Sequence, residues 1–191
     1  MKVIIVGGVA GGASCAARLR RLDEKAEILL VERGPYVSYA NCGLPYHISG
    51  VIEKESSLLV STEQTFRALF TVDCRTRCEV VGISPKKKTV ELKNHATGEV
   101  TSEKYDKLVL SPGAAPIRPP LPGIDLPGIF SVRTVPDARE IREWIDRSGD
   151  RVWTMAGLVD ILDRADGRNA CGRPRVQFPC EAHRSRQGVP L

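Results

Sequence analysis

The first apolar run of the chain is short and ends at glycines. Residues 2–6, KVIIV, are mostly β-branched, as in a buried parallel strand, and GGVAGG follows them. From about Gly11 to Leu22, small residues recur at helical spacing, which lets a helix pack closely on a sheet. A second apolar run, AEILLVE at residues 26–32, completes a βαβ unit of about 30 residues.

The rest of the chain predicts a loop, several short strands and a final helix. Residues 34–50 are dense in Gly, Pro, Asn and Ser, which predicts a loop, with a helix able to begin after Cys42. From Val72 onward polar and apolar residues alternate, as in short antiparallel strands. The amphipathic segment 135–146 predicts a helix with Asp137 in its first turn. The predicted strands lie at residues 72–83, at 89–94 and from Val100 onward, returning to a buried strand, KLVLS, at 107–111.

Together these elements predict an α/β fold, a Rossmann-like three-layer domain. A parallel sheet would carry helices on one face and a small antiparallel sheet on the other. This domain would cover residues 1–146. Beyond it, residues 147–191 contain arginine but no lysine, and their periodicity disappears. We interpret them as a tail that does not match the domain. The alternatives are that the tail is disordered, that it is a truncation product, that it is read in an altered frame, or that it is an unrelated sequence.

Composition narrows the class of protein. With 191 residues, 42% of them apolar and 27% charged, the chain is typical of a globular domain. No run approaches the roughly 18 apolar residues of a membrane span, and the N-terminal run is too short for a secretory signal, so we expect a cytoplasmic protein without a membrane partner. The net charge of +5 is not gathered into a basic stripe with aromatic residues, which argues against a nucleic-acid partner.

The six cysteines are expected to be mostly free thiols, because a reducing-compartment domain of this size does not need disulfides. Cys74 and Cys78 are four residues apart. On a strand this spacing puts both on one face without the convergence that a metal ion needs, and no second ligand pair follows. No metal site is predicted.

The glycine segment indicates a dinucleotide site. A tight turn there aims the helix N-terminus, with its unpaired N–H groups, at a pyrophosphate. Gly7 makes the turn and Gly12 allows close packing, whereas Val9 stands at the middle glycine position, so a neighbouring glycine must give the backbone access. Glu32 can accept both hydroxyls of an adenosine ribose. The alternative is a glycine turn that only shortens a loop. The residues predicted to bind are Gly7, Gly8, Val9, Ala10, Gly11, Gly12 and Glu32.

Several segments resemble, in order and spacing, the pyridine nucleotide-disulfide oxidoreductases. These segments are VGGVAGGASCAARLRRLD, VERGPYVSYANCGLPYHISG, RTRCEVVGISP, YDKLVLSPGAAP and FSVRTVPDA, and the resemblance covers residues 1 to about 146. SYANCGLPY, around Cys42, is the most specific, and it resembles the branch of coenzyme A-disulfide reductases and their persulfide-reductase relatives. The resemblance implies the N-terminal FAD-binding domain of an NAD(P)H-dependent flavoenzyme that reduces CoA disulfide or a related persulfide or disulfide.

The resemblance makes Cys42 the redox centre, acting alone. Two-cysteine members have a partner cysteine at a spacing of five, where this chain has His47. Cys42 is therefore expected to pair with a substrate sulfur or to pass through a sulfenic acid. A helix N-terminus after it would favour its thiolate form. Asn41 favours the coenzyme A branch, because related oxidases and peroxidases typically have serine there.

The resemblance also assigns further residues. Positions that match substrate contacts are Ser14, Arg18, Arg21, Ser38 and Asn41. Positions that match cofactor contacts, beyond the glycine segment, are Arg33, Val80, Ser111, Gly113 and Arg133. Simpler interpretations stay open: Cys42 as a buried apolar residue, the two arginines as a solvated helix face, and residues 111–113 as an ordinary strand-ending turn.

Two other functions stay open. One is an NADH oxidase or peroxidase of the same family, and the other is a catalytically inactive FAD- or ADP-binding fragment. The family's second glycine fingerprint, for the nicotinamide cofactor, is not found in this sequence, so we expect the NAD(P)H-binding domain to be absent from the chain. The C-terminal dimerisation domain is not found either, although full-length members are expected to be homodimers.

Overall fold

A computed structural model of the protein describes residues 1–148. The tail predicted from the sequence lies outside the described residues, apart from its first two positions. The chain divides into two compact units. One is formed by Met1–Ala40 and Leu59–Ala114, and the other by Asn41–Leu58 and the chain from Ala115 onward.

Seven strands and four α-helices are present among the described residues. In chain order they are β1 Lys2–Val6, α1 Gly11–Leu22, β2 Glu27–Val31, α2 Leu44–Ile48, α3 Glu63–Phe70, β3 Asp73–Arg75, β4 Cys78–Ser84, β5 Thr89–Asn94, β6 Val100–Lys104, β7 Lys107–Leu110 and α4 Val135–Ser148. Two 3-10 turns, Asn41–Gly43 and Glu55–Leu58, lie in the second unit. None of the helices in this part of the chain is long and apolar enough to cross a membrane.

Four parallel strands form the central sheet of the first unit, in the order β3-β2-β1-β7. β1 lies in the middle, where Ile4 pairs with Leu29 of β2 and Leu108 of β7. Because side chains alternate along a strand, Val3 and Ile5 face one core and Ile4 faces another. Apolar residues on both faces are what a continuous apolar run predicts for a central parallel strand.

Different elements cover the two faces of this sheet. α1 covers one face, where Gly12, Ala13 and Ala16 are buried and the lack of long side chains lets the helix lie close. The antiparallel sheet β4-β5-β6 covers the other face with Val90 and Leu92. The three-layer α/β fold predicted from the sequence is therefore confirmed.

The segment 72–83 is not a single antiparallel strand, contrary to the prediction. β3 is a parallel partner of β2, with Cys74 opposite Leu30, and the chain turns at Arg77, whose φ is 51°. Cys74 and Cys78 consequently pack in the two different cores, so the prediction that they share a face is wrong. Burial raises the pKa of Cys74 to about 12 and also raises the pKa of Cys78. Both shifts disfavour the thiolate form that binds metal ions.

α3 is a helix that the sequence periodicity did not predict, because its eight residues span little more than two turns. The hydroxyl of Thr62 accepts the N–H of Thr65 at 3.2 Å and caps its N-terminus. Phe66 is the buried residue of this helix, and Thr71 ends it in the left-handed conformation. Local capping and one aromatic anchor therefore define the helix.

In the second unit, α2 packs against α4. The carboxylate of Asp137 accepts the backbone N–H groups of Arg133 at 3.0 Å and Thr134 at 2.8 Å, which caps α4. Phe130 meets Trp144 edge-on, with ring centroids 5.6 Å apart. The predicted helix at 135–146 is confirmed, with Asp137 in its first turn.

A charge network connects the two sheets of the first unit. The Nζ of Lys2 in β1 lies 2.9 Å from the Oε2 of Glu103 in β6. The Nη1 of Arg75 in β3 lies 2.9 Å from the Oε1 of the same carboxylate. The hydrogen bond from Lys2 holds the pKa of Glu103 below its ordinary value, and Arg75 acts in the same direction. Glu103 is therefore more acidic in the folded chain than in the unfolded chain.

Glu103→Gln should lower stability at neutral pH and have little effect in acid. The folded-state pKa of Glu103 is depressed, so its contribution is complete above the ordinary value of 4.5 and disappears as the pH falls through the folded value. Because the groups are partly exposed, we expect a difference of about 1 kcal/mol or less in the free energy of unfolding. Urea unfolding of both proteins at neutral pH and at about pH 2.5 checks this. A difference that persists in acid would exclude the ion pairs as its cause.

Candidate functional site

The glycine segment forms a tight loop between β1 and α1. Gly7 has a φ of 92°, in the left-handed region, and a Cβ there would overlap the carbonyl of Ser111. A Cβ at Gly12 would overlap the carbonyl oxygen of Gly7. Glycine is therefore required at both positions, at Gly7 for the turn and at Gly12 for the close approach of helix and loop.

The N-terminus of α1 is open to a ligand. Its N-cap residue, Ala10, provides no side-chain hydrogen bond, and the first turn contains no acidic residue. The first N–H groups of a helix have no partner within the helix, so this end can bind an anion. The arrangement fits a pyrophosphate such as that of FAD.

Glu32 is fixed beside the glycine loop at the end of β2. Its Oε2 accepts the N–H of Gly8 and its Oε1 accepts the N–H of Gly34, both at 2.7 Å. Its own N–H donates to the carbonyl of Arg75 at 2.9 Å, and its carbonyl accepts the N–H of Cys78 at 3.0 Å. Each carboxylate oxygen keeps further acceptor capacity, so ribose hydroxyls can still bind.

Glu32→Gln should weaken FAD binding by about tenfold, because an amide can replace only one of the two acceptors and places an NH2 group against a backbone N–H. Titration of FAD fluorescence with the purified chain measures the dissociation constant. Glu24→Gln, at an exposed residue of the same unit, makes the same change of charge and serves as the control. Equal dissociation constants for the two variants would contradict this role of Glu32.

Val37 and Ser38 support the loop from outside. Val37 is 2% exposed, and its Cγ1 lies 2.9 Å from the position of a Cβ on Gly8. Ser38 donates its N–H to the carbonyl of Gly8 at 3.0 Å, and its carbonyl accepts the N–H groups of Val60 at 2.7 Å and Ser61 at 3.1 Å. Ser38 adopts a φ of 47°, which is uncommon outside glycine. Val37 is not among the site residues predicted from the sequence, although an apolar β-branched residue within a polar loop was an available signal.

Arg33 and Val80, both predicted cofactor contacts, have different surroundings. The side chain of Arg33 is 72% exposed, and its Nη1 lies 3.6 Å from the Oε1 of Glu79. The side chain of Val80 packs against the apolar core that lies between the central sheet and the antiparallel sheet. A ligand can therefore reach the Arg33 side chain more easily than the side chain of Val80, which is partly buried.

The predicted substrate contacts on α1 share one face. Ser14, Arg18 and Arg21 are four and three residues apart and all exposed, so they line one stripe of the helix. Arg20 differs, because its guanidinium donates to the carbonyls of Phe70 at 2.7 Å and Thr71 at 3.0 Å. Arg20 therefore ties α1 to the end of α3, while the stripe is accessible to a ligand.

The remaining predicted cofactor contacts divide between the units. Ser111 donates its N–H to the carbonyl of Val6 at 2.8 Å, and its Oγ lies 2.7 Å from the position of a Cβ on Gly11. The end of β7 thus borders the glycine loop, and Gly113 follows with a φ of 72°. Arg133 belongs to the second unit, where its N–H contributes to the cap of α4.

Cys42 lies in the second unit, in the 3-10 turn that precedes α2. It is an exposed free thiol, whereas Cys74 and Cys78 are buried and Cys15 is partly buried. The alternative that Cys42 is a buried apolar residue is therefore wrong. Among the cysteines of the described residues, Cys42 is the most accessible to a dissolved disulfide.

Two polar residues near Cys42 have buried groups. The Oδ1 of Asn41 is buried and has no hydrogen-bond partner in the described part of the chain. An unpaired buried carbonyl is costly, and because this oxygen is closed to solvent, a donor on a ligand would reach it only after a local rearrangement. His47 is 4% exposed, and its Nδ1 lies 2.7 Å from the carbonyl oxygen of Ile52. That contact gives this imidazole nitrogen a structural partner.

One family profile and three related proteins are similar to this chain. The family profile described as pyridine nucleotide-disulphide oxidoreductase matches residues 1–152. A coenzyme A disulfide reductase of Staphylococcus haemolyticus is 40% identical over 146 residues, which are 76% of this chain and 32% of the relative. The solved structure of reduced Bacillus anthracis CoADR-RHD is 53% identical with a TM-score of 0.74, covering 76% of this chain and 26% of that chain.

A third relative is an NAD-dependent persulfide reductase from A. fulgidus, whose solved structure has a TM-score of 0.73 at 34% identity. The similarity covers 78% of this chain and 28% of that chain. The chain therefore spans 32% of the length of the curated relative and still less of the two solved chains.

Proposed function

The chain belongs to the pyridine nucleotide-disulphide oxidoreductase family, and on this premise we propose that it is the FAD-binding part of a coenzyme A-disulfide or persulfide reductase. Cys42 would be its redox centre and NAD(P)H the electron donor of the full-length protein. Residues 1–146 would form the flavin-binding region. The relatives that support the proposal are a coenzyme A disulfide reductase and a persulfide reductase.

The observation that carries the proposal is the exposed thiol of Cys42, the most accessible of the cysteines among the described residues. A thiol must be accessible to attack a disulfide sulfur.

The proposed step is thiol–disulfide exchange. The Cys42 thiolate attacks one sulfur of the substrate disulfide, a bond forms between Sγ and that sulfur, the original S–S bond breaks, and the second sulfur leaves as a thiolate. No electrons are gained or lost overall. When bound, and once reduced by NAD(P)H in the full-length protein, the flavin would supply the electron pair that later reduces the mixed disulfide.

The first unit would hold the cofactor. The open N-terminus of α1 would bind the pyrophosphate, and Glu32 would bind the ribose hydroxyls. Arg18 and Arg21 would bind the phosphates of coenzyme A, because exposed guanidinium groups make strong, paired hydrogen bonds to phosphate.

The proposal can be tested by treating the chain with coenzyme A disulfide under anaerobic conditions and mapping adducts by mass spectrometry. Trypsin separates the relevant thiols, since Cys42 lies in the fragment 34–54 and Cys15 in the fragment 3–18. We expect a coenzyme A adduct on the fragment with Cys42, formed faster than the adduct with 2-hydroxyethyl disulfide.

Two other outcomes would contradict the proposal. A sulfenic acid on Cys42 after treatment with peroxide, without any preference for coenzyme A disulfide, would favour an oxidase or peroxidase. Absence of both products would favour an inactive FAD- or ADP-binding fragment.

A further inference from the structure

α2 cannot hold its position by its own hydrogen bonds. It contains five residues, Leu44–Ile48, and helices of this length are unstable without tertiary contacts. The turn with Cys42 comes immediately before α2. Whatever fixes α2 therefore also fixes the position of the Cys42 sulfur.

Arg142 of α4 supplies a contact at the C-terminal end of α2. Its Nη1, which has two N–H groups, lies within hydrogen-bond distance of three carbonyls, those of His47 at 3.2 Å, Ile52 at 3.4 Å and Glu53 at 3.1 Å. The last carbonyls of a helix lack partners within the helix. A single guanidinium nitrogen from α4 thus joins the end of α2 to the loop that follows it.

The buried imidazole of His47 strengthens the same junction. Its Nδ1 lies 2.7 Å from the carbonyl oxygen of Ile52, so a proton on Nδ1 is donated there. The Nη1 of Arg142 lies 3.2 Å from the same nitrogen. The carbonyl of His47 also accepts the N–H of Gly50 at 3.1 Å. The carbonyls of His47 and Ile52 keep these partners without Arg142, so loss of Arg142 removes the link from α4 to the end of α2 rather than every partner of these carbonyls.

We propose that Arg142 is a positioning residue for Cys42: by closing the carbonyl end of α2, it fixes the thiol in the geometry needed for exchange with a bound disulfide. This role rests on the proposed function. Arg142 is 29 or more residues from every predicted site residue except Arg133 in the sequence, and no motif marked it as functional.

Positioning can be distinguished from simple exposure by comparing two reagents. A small alkylating reagent reacts from solution and needs only an accessible thiolate, whereas exchange with coenzyme A disulfide requires the sulfur in one place relative to the bound substrate. Loss of Arg142 should therefore slow exchange far more than alkylation.

The experiment uses the whole chain with Arg142→Met, which keeps an unbranched apolar stem and removes the donors, and Arg142→Lys, which keeps a cationic donor. For Arg142→Met we expect exchange at Cys42 to slow by about tenfold and alkylation by iodoacetamide to change by less than about twofold. Arg142→Lys should recover most of the exchange rate, because an ammonium group has three donors to offer the three carbonyls.

Arg147→Met is the matched control, since it removes the same charge from the same helix and Arg147 donates to the Glu143 carbonyl within that helix. It should leave both rates unchanged. Circular dichroism checks the fold, and if Arg142→Met does not fold, Arg142→Gln replaces it with the same expected loss.

Four results would overturn the assignment. Exchange at the unmodified rate in Arg142→Met, or equal slowing of exchange and alkylation, would show that Arg142 does not position the sulfur. Equal rates for Arg142→Lys and Arg142→Met would show that the carbonyl contacts are not the cause. Absence of any preference for coenzyme A disulfide in the unmodified chain would overturn the proposed function itself and this assignment with it.

Discussion

Replacing Cys42 by serine should abolish the mixed disulfide with coenzyme A while leaving FAD binding within about twofold. A serine hydroxyl cannot form an S–S bond, and it is not ionised at neutral pH, so neither step of the exchange remains. Cys42 lies in the second unit, whereas the glycine loop and Glu32 that would bind the dinucleotide lie in the first. Mass spectrometry of the treated chain and fluorescence titration of FAD measure the two properties separately.

Cys15→Ser is the matched control for this prediction, because it also replaces a free and partly accessible thiol. It should retain the adduct on the fragment 34–54. An undiminished total yield of coenzyme A adduct in Cys42→Ser would show that another cysteine is the reactive one. The proposed mechanism would then be wrong, although membership of the family would stand.

The sequence predicted the parts of the fold whose patterns are local and strong. KVIIV, the glycine segment and AEILLVE determine β1, the loop, α1 and β2, because apolar periodicity and glycine turns act over a few residues. β3 was misassigned because three residues cannot show whether their partner is parallel or antiparallel. That choice depends on β2, about forty residues earlier in the chain.

The candidate site shows the same limit. Glu32 could be predicted because it ends an apolar strand at a fixed distance from the glycine segment. Arg142 could not, because its role comes from contacts with the carbonyls of His47, Ile52 and Glu53, which no local pattern marks. Local spacing reveals residues that touch a ligand more readily than residues that hold those contacts in place.

Gly12→Val should abolish FAD binding and strongly destabilise the first unit. A Cβ at Gly12 would overlap the carbonyl oxygen of Gly7 and lie 3.1 Å from the Cγ2 of Ile5. The valine side chain would therefore force α1 away from β1 and displace the helix N-terminus from the loop. We expect the free energy of unfolding to fall by about 3 kcal/mol, and FAD binding to become undetectable because the phosphates lose their N–H donors.

Val9→Gly is the comparison variant, because it changes the same loop in the opposite direction. The side chain of Val9 is only partly buried, and glycine at this position adds flexibility without a clash. Stability should fall by about 1 kcal/mol or less, and FAD affinity should stay within about threefold of the unmodified chain, since the backbone donors remain in place. Urea unfolding and FAD fluorescence titration measure both quantities. If Gly12→Val bound FAD as well as Val9→Gly, the pyrophosphate could not lie at the N-terminus of α1.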